Sequence, residues 1–416
     1  MNNNETLKSK DIFYYGILGI PIAFLGFPLY IYLPNFYVEY VGLSLSIVGI
    51  ILFVSRLIDM FLDPFIGKLS DTCCQRKTLI AIGSIFLLIG IYFLSNPYYH
   101  SPLWLFIFSI LTYISYSLVL IPYLTLNSEI STKENNTKLS FSREIFTIIG
   151  VVIALIIPYV ANVASNSKET LQLLINILLI TVPIIVIIFY LNIKVAKKQK
   201  IDKKPFFKSI VSFFKNNTNN KKIFYAFLLN NLANALPATL FLFYVKYVLN
   251  LEDKTGEFLL IYFASSIFTF IFWIKLSNKI GLEYTWISSI LISIVAFCFV
   301  PFLGQADYFG FLLICIFTGM CLGADMAIPT SIQSQIAQEN KNMSGVLFGL
   351  WAMITKLSLS LAVLIAFVSL DYNLQSIDVS DVSNDRLIFL YSILPILLKL
   401  IAIFFIIKYK LTNKTY

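Results

Sequence analysis

Charge is scarce in this sequence. Only 13% of its 416 residues are Asp, Glu, Lys or Arg, about half the share of an ordinary soluble domain. Histidine is scarcer still, with His100 alone, which excludes histidine-ligated metal centres and Ser-His-Asp hydrolysis. No Gly-Lys-Ser/Thr phosphate loop occurs, so an ATP-driven pump has no grip on its nucleotide. Repeated filter sequences of the kind that line ion channels are absent as well. The five cysteines (Cys73, Cys74, Cys298, Cys315 and Cys321) make no disulfide framework. The Cys73–Cys74 pair has no other ligand-type residues beside it and reads as reduced thiols in an internal loop. The chain is therefore not expected to be an enzyme, and no cofactor is expected.

What is abundant is apolar surface. Hydrophobic residues make up 58% of the chain and the mean hydropathy is +0.82. They come in long runs, and crossing a bilayer takes about 20 apolar residues at 1.5 Å rise each. Twelve stretches qualify, at about 12–33, 43–66, 78–95, 103–127, 141–162, 170–193, 223–249, 257–275, 285–304, 309–332, 344–370 and 386–408. Each is expected to be helical, because a span in lipid must satisfy its own backbone hydrogen bonds. Short segments of alternating polarity, which a barrel needs, do not occur. Met1–Asp11 is polar, and the run after it is too long for a signal-peptide core.

The net charge of +9 is a matter of topology. Ten lysines lie between Lys194 and Lys222 with one acid, Asp202, among them, whereas alternate loops carry little beyond Lys168 and Lys254. The last such loop is acidic, with Asp371, Asp378, Asp381 and Asp385. By the positive-inside rule both termini are cytoplasmic in a multi-pass plasma-membrane protein. The basic surface then faces anionic lipid, and no nucleic-acid partner is expected. Gly67-Lys68-Leu69-Ser70-Asp71 after span 2 recurs as Ile274-Lys275-Leu276-Ser277-Asn278 after span 8. The expected fold class is thus an all-α membrane protein with twelve transmembrane helices in two six-helix pseudo-symmetric halves. The halves are 1–193 and 223–416, joined by a basic linker over 194–222. This is the major facilitator fold, whose halves rock about a central site.

A charge at mid-bilayer is expensive, about 2.5–3.5 kcal/mol on the lenient scale, and so marks function. In span 2, Arg56, Asp59 and Asp63 share one helical face by their spacings of three and four. Two acids one turn apart against one base leave a surplus negative charge. That suits a sodium ion or a proton, since hard cations prefer oxygen ligands and a desolvated carboxylate takes up protons readily. The bland alternative is an ion pair that locks helices together. Lys356 in span 11 has no acid near it in sequence and needs a counter-charge, for which the span 2 aspartates are the obvious choice. Asp325, ahead of Pro329 in span 10, could bind solute or coupling ion, or pair with a base. Arg143 and Glu144 could be an interfacial pair, and Lys399 could snorkel. Asn230, Asn231 and Asn234 of span 7 offer amides to a cavity, or glue between helices.

Tyr40-Val41-Gly42-Leu43-Ser44, followed by Arg56-x-x-Asp59-x-x-x-Asp63-Pro64-x-x-Gly67, resembles the glycoside-pentoside-hexuronide:cation symporters, the melibiose permease-like family. Weaker matches follow in order: Ile121-Pro122, Ser142-Arg143, Tyr244-Val245-Lys246-Tyr247-Val248 and Lys356. The resemblance implies that Asp59 and Asp63 hold the coupling cation, with Ser117 as a helping hydroxyl and Lys356 as the charge that responds. It places Arg143 near the solute. Two departures matter. The aspartates that hold sugar hydroxyls in the sugar-transporting members are Ala23 and Leu120 here, and an asparagine of the cation site is Leu62. The expected function is symport of a small solute, sugar-like or amphipathic, with H+ or Na+, by a monomer. The solute contacts are Arg143, Asp325, Asn230 and Asn234. A lysolipid transporter or flippase of the same fold is the alternative, and a non-transporting receptor the third reading.

Overall fold

The computed structural model describes residues 9–413 apart from 28, 30–31, 73–74, 132–134, 164–165, 194–205 and 372–383. Cys73 and Cys74, the first six linker lysines, Asp378 and Asp381 lie outside the described residues. Within them the chain is helical, with no strand. Ten helices are long and apolar enough to cross a membrane by length and composition, so the composition argument for a multi-pass protein holds. Those ten answer to ten of the twelve expected spans, and the first two expected spans fall in regions of different character. One is α4 (Leu45–Thr72), which carries the span 2 charges.

The other is the first expected span, which is not one continuous helix. It breaks into α1 (Ser9–Gly16) and α2 (Gly19–Phe27), with α3 (Leu33–Glu39) after it. Pro21 cannot donate to the carbonyl of Ile17, so the helix cannot run through this turn unbroken. Gly19 sits against the next helix in its unit so closely that a Cβ would strike the Arg143 carbonyl. The orphaned end of α1 is closed by a side chain. Tyr123 donates its hydroxyl to the Tyr15 carbonyl at 2.8 Å and to the Gly16 carbonyl at 3.3 Å. Tyr15 returns a bond to the Tyr123 carbonyl at 3.2 Å, with ring centroids 4.8 Å apart. Tyr123→Phe leaves those buried carbonyls without this donor and is expected to destabilise the protein by about 1–3 kcal/mol. A lowered thermal unfolding midpoint reads it.

Packing divides the chain into two compact units. The first is Met1–Lys203 with Gln333–Met353, and the second is Lys204–Ile332 with Ile354–Tyr416. In the first unit, α5 (Arg76–Ser95) and α6 (Pro102–Ile130) pack along their lengths, α4 lies against α6, and α7 (Asn136–Val160) lies against α2. α8 (Ser167–Asn192) closes this bundle against α5. The α8 start is fixed by Asn166, whose side chain accepts from the amides of Lys168 and Glu169 while donating to the Glu169 carboxylate.

The second unit begins with the short amphipathic α9 (Phe206–Asn216). α10 (Thr218–Phe243), α11 (Thr255–Ile280), α12 (Leu282–Cys298) and α13 (Tyr308–Glu339) follow. α14 (Ser344–Asp371), α15 (Asn384–Ile388) and α16 (Leu394–Asn413) complete the chain. α13 ends and α14 begins within the segment that belongs to the first unit. α10 and α16 make the long central contact of the second unit, with α12 beside α16. A π-helical turn at Tyr244–Val248 ends α10, and another at Phe389–Ile393 joins α15 to α16. Tyr244 and Tyr391 of those turns stack at 4.3 Å. Large apolar side chains stand exposed on the outer helix faces, Phe268 and Ile180 among them, as lipid-facing surface requires.

Candidate functional site

The span 2 charges occupy the buried side of α4. Asp59 is 3% exposed and Asp63 fully buried, and Pro64 contributes no N–H to the turn that carries them. α6 supplies what they face within the first unit. The Ser117 hydroxyl donates to Asp59 Oδ1 at 2.8 Å, and the Arg56 guanidinium lies 5.1 Å above the Tyr113 ring. Arg56 is thus turned in part to a π face, while a hydroxyl serves the carboxylate. Buried carboxylate and hydroxyl oxygens are the ligand type that small hard cations prefer.

Arg143 and Glu144 of α7 do form a pair. Both are buried, and Arg143 donates from Nε to Glu144 Oε1 at 2.9 Å, with Nη2 on the same oxygen. They sit within electrostatic reach of Tyr15 and Tyr123. Arg143 Nη1 is buried and makes no hydrogen bond among the described residues. Ala23 and Leu120, the departures from the sugar-binding pattern, are each partly buried in this same unit.

In the second unit the structure brings Asp325, Asn230 and Asn234 together and adds two residues that sequence reasoning did not place with them. Lys399 of α16 does not snorkel. It is fully buried, with Nζ 2.6 Å from Asn234 Oδ1, 3.2 Å from Asn230 Oδ1 and 3.5 Å from Asp325 Oδ2. Trp286 of α12 donates Nε1 to Asp325 Oδ1 at 3.2 Å. The only advance signal for Lys399 was its depth: a charge in the middle of a span needs a partner. Lys356 lies on α14, partly buried, in the part of that helix that belongs to the second unit.

A further cluster, unrecognised in the sequence beyond the repeat that contains it, closes the end of α4. Arg76 and Asp71 are both buried and joined at 2.9 Å. Asp71 also accepts from the amides of Gly345 and Val346 at 2.8 and 3.0 Å, where the first turn of α14 presents unpaired donors. Gly67 and Gly345 let these backbones meet, since a Cβ on Gly67 would fall on the Gly345 carbonyl.

The sequence profile of the MFS/sugar transport protein family, the melibiose permease-like family, matches residues 14–413. This chain belongs to that family. A curated relative is an uncharacterized symporter of Bacillus subtilis (strain 168), YnaJ, 24% identical over 362 residues that cover 82% of this chain and 78% of the relative. Among solved structures, a bacterial homologue of the iron transporter ferroportin, outward-facing with soaked iron, superposes with a TM-score of 0.73. It is 15% identical and covers 97% of this chain and 100% of its own. The Escherichia coli fucose:proton symporter FucP superposes at 0.70 with 12% identity, over 95% of this chain and 97% of its own. At such identities the structures establish the shared fold: an all-α major facilitator transporter.

Proposed function

We propose that this MFS/sugar transport family member is a cation:solute symporter whose coupling ion, H+ or Na+, is held by Asp59 and Asp63 of α4 with Ser117 of α6. The observation that carries the reading is the Ser117–Asp59 hydrogen bond at 2.8 Å between two fully desolvated groups. The resemblance to melibiose permease-like symporters names the same residues, and the YnaJ relative is itself described as a symporter. Arg56 balances part of the charge, and Lys356 is assigned to the response that follows cation loading. Arg143, with its unsatisfied Nη1, is assigned to the solute. Alternating access in the plasma membrane, with both termini cytoplasmic, completes the proposal.

A thermal-shift screen of sugars, carboxylates and lysolipids, with sodium or with choline at matched ionic strength, tests it. Stabilisation by a solute that depends on sodium, or on pH when sodium is without effect, supports symport. Stabilisation by lysolipids alone, indifferent to either ion, supports the lipid-transporter alternative, which Ala23 and Leu120 motivate. Ser117→Ala gives a graded check. The hydroxyl stabilises the ionised Asp59 by about 1.5 kcal/mol or more, so without it proton loading is expected at a roughly tenfold lower proton concentration, whereas sodium loading, which uses the hydroxyl oxygen as a ligand, is expected to weaken. A titration of the thermal shift against cation concentration measures it.

A further inference from the structure

The Asp325–Lys399 pair differs from the buried Asp71–Arg76 and Arg143–Glu144 pairs in a way that bears on what it does. Asp71 and Arg76 meet at 2.9 Å, and each is held by further strong bonds. That is the ordinary length of a charge-assisted bond in a structural lock. Lys399 and Asp325 stand 3.5 Å apart, at the outer limit of a hydrogen bond. The ammonium is held more closely by two neutral amides, Asn234 at 2.6 Å and Asn230 at 3.2 Å. Asn234 bridges the two charges: its Oδ1 accepts from Lys399, and its Nδ2 donates to Asp325 Oδ2 at 2.9 Å.

Position adds to this. Lys399 lies near the centre of the Asn384–Leu411 span, Asp325 near that of Tyr308–Glu339, and Asn230 and Asn234 near that of Thr218–Val248. Three helices of one unit therefore bring polar groups together near the middle of their apolar spans, where a charge is expensive to hold. If Asp325 takes a proton, two amide oxygens still solvate the Lys399 ammonium. A pair held only by its own charges would lose its sole compensation in that step. Tyr262 of α11 and Cys321 of α13 also lie within electrostatic reach of Asp325. α10 presents amides and α12 the Trp286 indole.

We propose that Asp325 is a second proton-binding site of this transporter, located in the second unit. Lys399 and Asn234 act as positioning residues that keep it exchangeable. The step is a simple protonation: the carboxylate takes one proton from solution, its bond from Lys399 is released, and the ammonium stays on Asn230 and Asn234. The site is separate from the α4 carboxylates and stands whether or not those bind the coupling ion.

Infrared difference spectra of the purified full-length protein, recorded between neutral and acid pH without solute, test this directly through the C=O band of a protonated carboxyl. A band lost in Asp325→Asn but kept in Asp59→Asn and Asp63→Asn is the expected result. Lys399→Gln supplies a second variant should Asp325→Asn fail to fold. Without the ammonium, half-protonation is expected at a proton concentration about tenfold lower, a displacement of roughly one pH unit. A band unchanged in folded Asp325→Asn, or a midpoint unmoved in Lys399→Gln, overturns the proposal and leaves the cluster as helix glue. Loss of the band only in the Asp59 or Asp63 variants overturns it too, while supporting the α4 site.

Discussion

Asp59→Asn and Asp63→Asn are each expected to abolish cation-dependent stabilisation of the purified protein and uphill uptake of its solute, with folding and insertion intact. Asparagine keeps the shape and one oxygen of each side chain while removing the charge. Asp59 and Asp63 are two buried carboxylates on one face of α4, and replacing either removes one of the two negative charges that the coupling cation is proposed to meet. The measurement is thermal unfolding with and without cation, across pH and in sodium against choline. At a cation concentration a hundredfold above its dissociation constant, binding adds about 2.7 kcal/mol to stability. Wild type should show a shift of that order, and both variants should show almost none. Leu62, in place of the asparagine that the resemblance leads one to expect, supplies no oxygen and tilts the expectation toward pH over sodium. Should both variants keep the wild-type shift and accumulate solute normally, the coupling role assigned to α4 is wrong.

Depth and face were readable in the amino-acid sequence, and neighbours were not. The apolar runs predict helices because lipid permits little else, and ten of the described helices answer to them. The spacing of Arg56, Asp59 and Asp63 puts them on one side of α4, and the structure keeps both acids buried there. Ser117 came from the family resemblance, since nothing in the α6 sequence distinguishes it from Ser109 or Ser115. Lys399 shows the limit. Its position inside span 12 was plain, yet its partner lies 74 residues away on α13, beyond any local pattern, so snorkelling was the reading the sequence offered. Arg143 and Glu144 were expected to pair and they do, but their burial in the bundle around Tyr15 and Tyr123 was not readable from their place near the start of an apolar run. The break between α1 and α2 was legible in principle from Pro21, but mean hydropathy is blind to a missing N–H.

The second large effect is expected where α4 ends. Asp71→Ala removes the acceptor for three donors at once: Arg76 Nη2 and the amides of Gly345 and Val346. It leaves Arg76 with Glu129 at 2.7 Å and with the hydroxyls of Ser70 and Ser344. Breaking a buried ion pair from one side costs about 3–5 kcal/mol when the surviving charge is left unpaired; Arg76 keeps Glu129, so the loss here comes chiefly from the two orphaned amides, about 1–3 kcal/mol each. The start of α14 loses its anion as well, a further loss of about 0.3–1 kcal/mol. Arg76→Ala should be milder, since Asp71 keeps two backbone amides at a helix N-terminus and Glu129 is partly open to solvent. Thermal unfolding of the two single variants should therefore rank Asp71→Ala below Arg76→Ala. The loss in the double variant should be well below the sum of the two single losses, as coupled partners require. If both singles unfold like wild type, water reaches this cluster in solution and its bonds contribute little. If the losses simply add, Asp71 acts through the α14 amides alone, and the short contact to Arg76 does not couple the two residues.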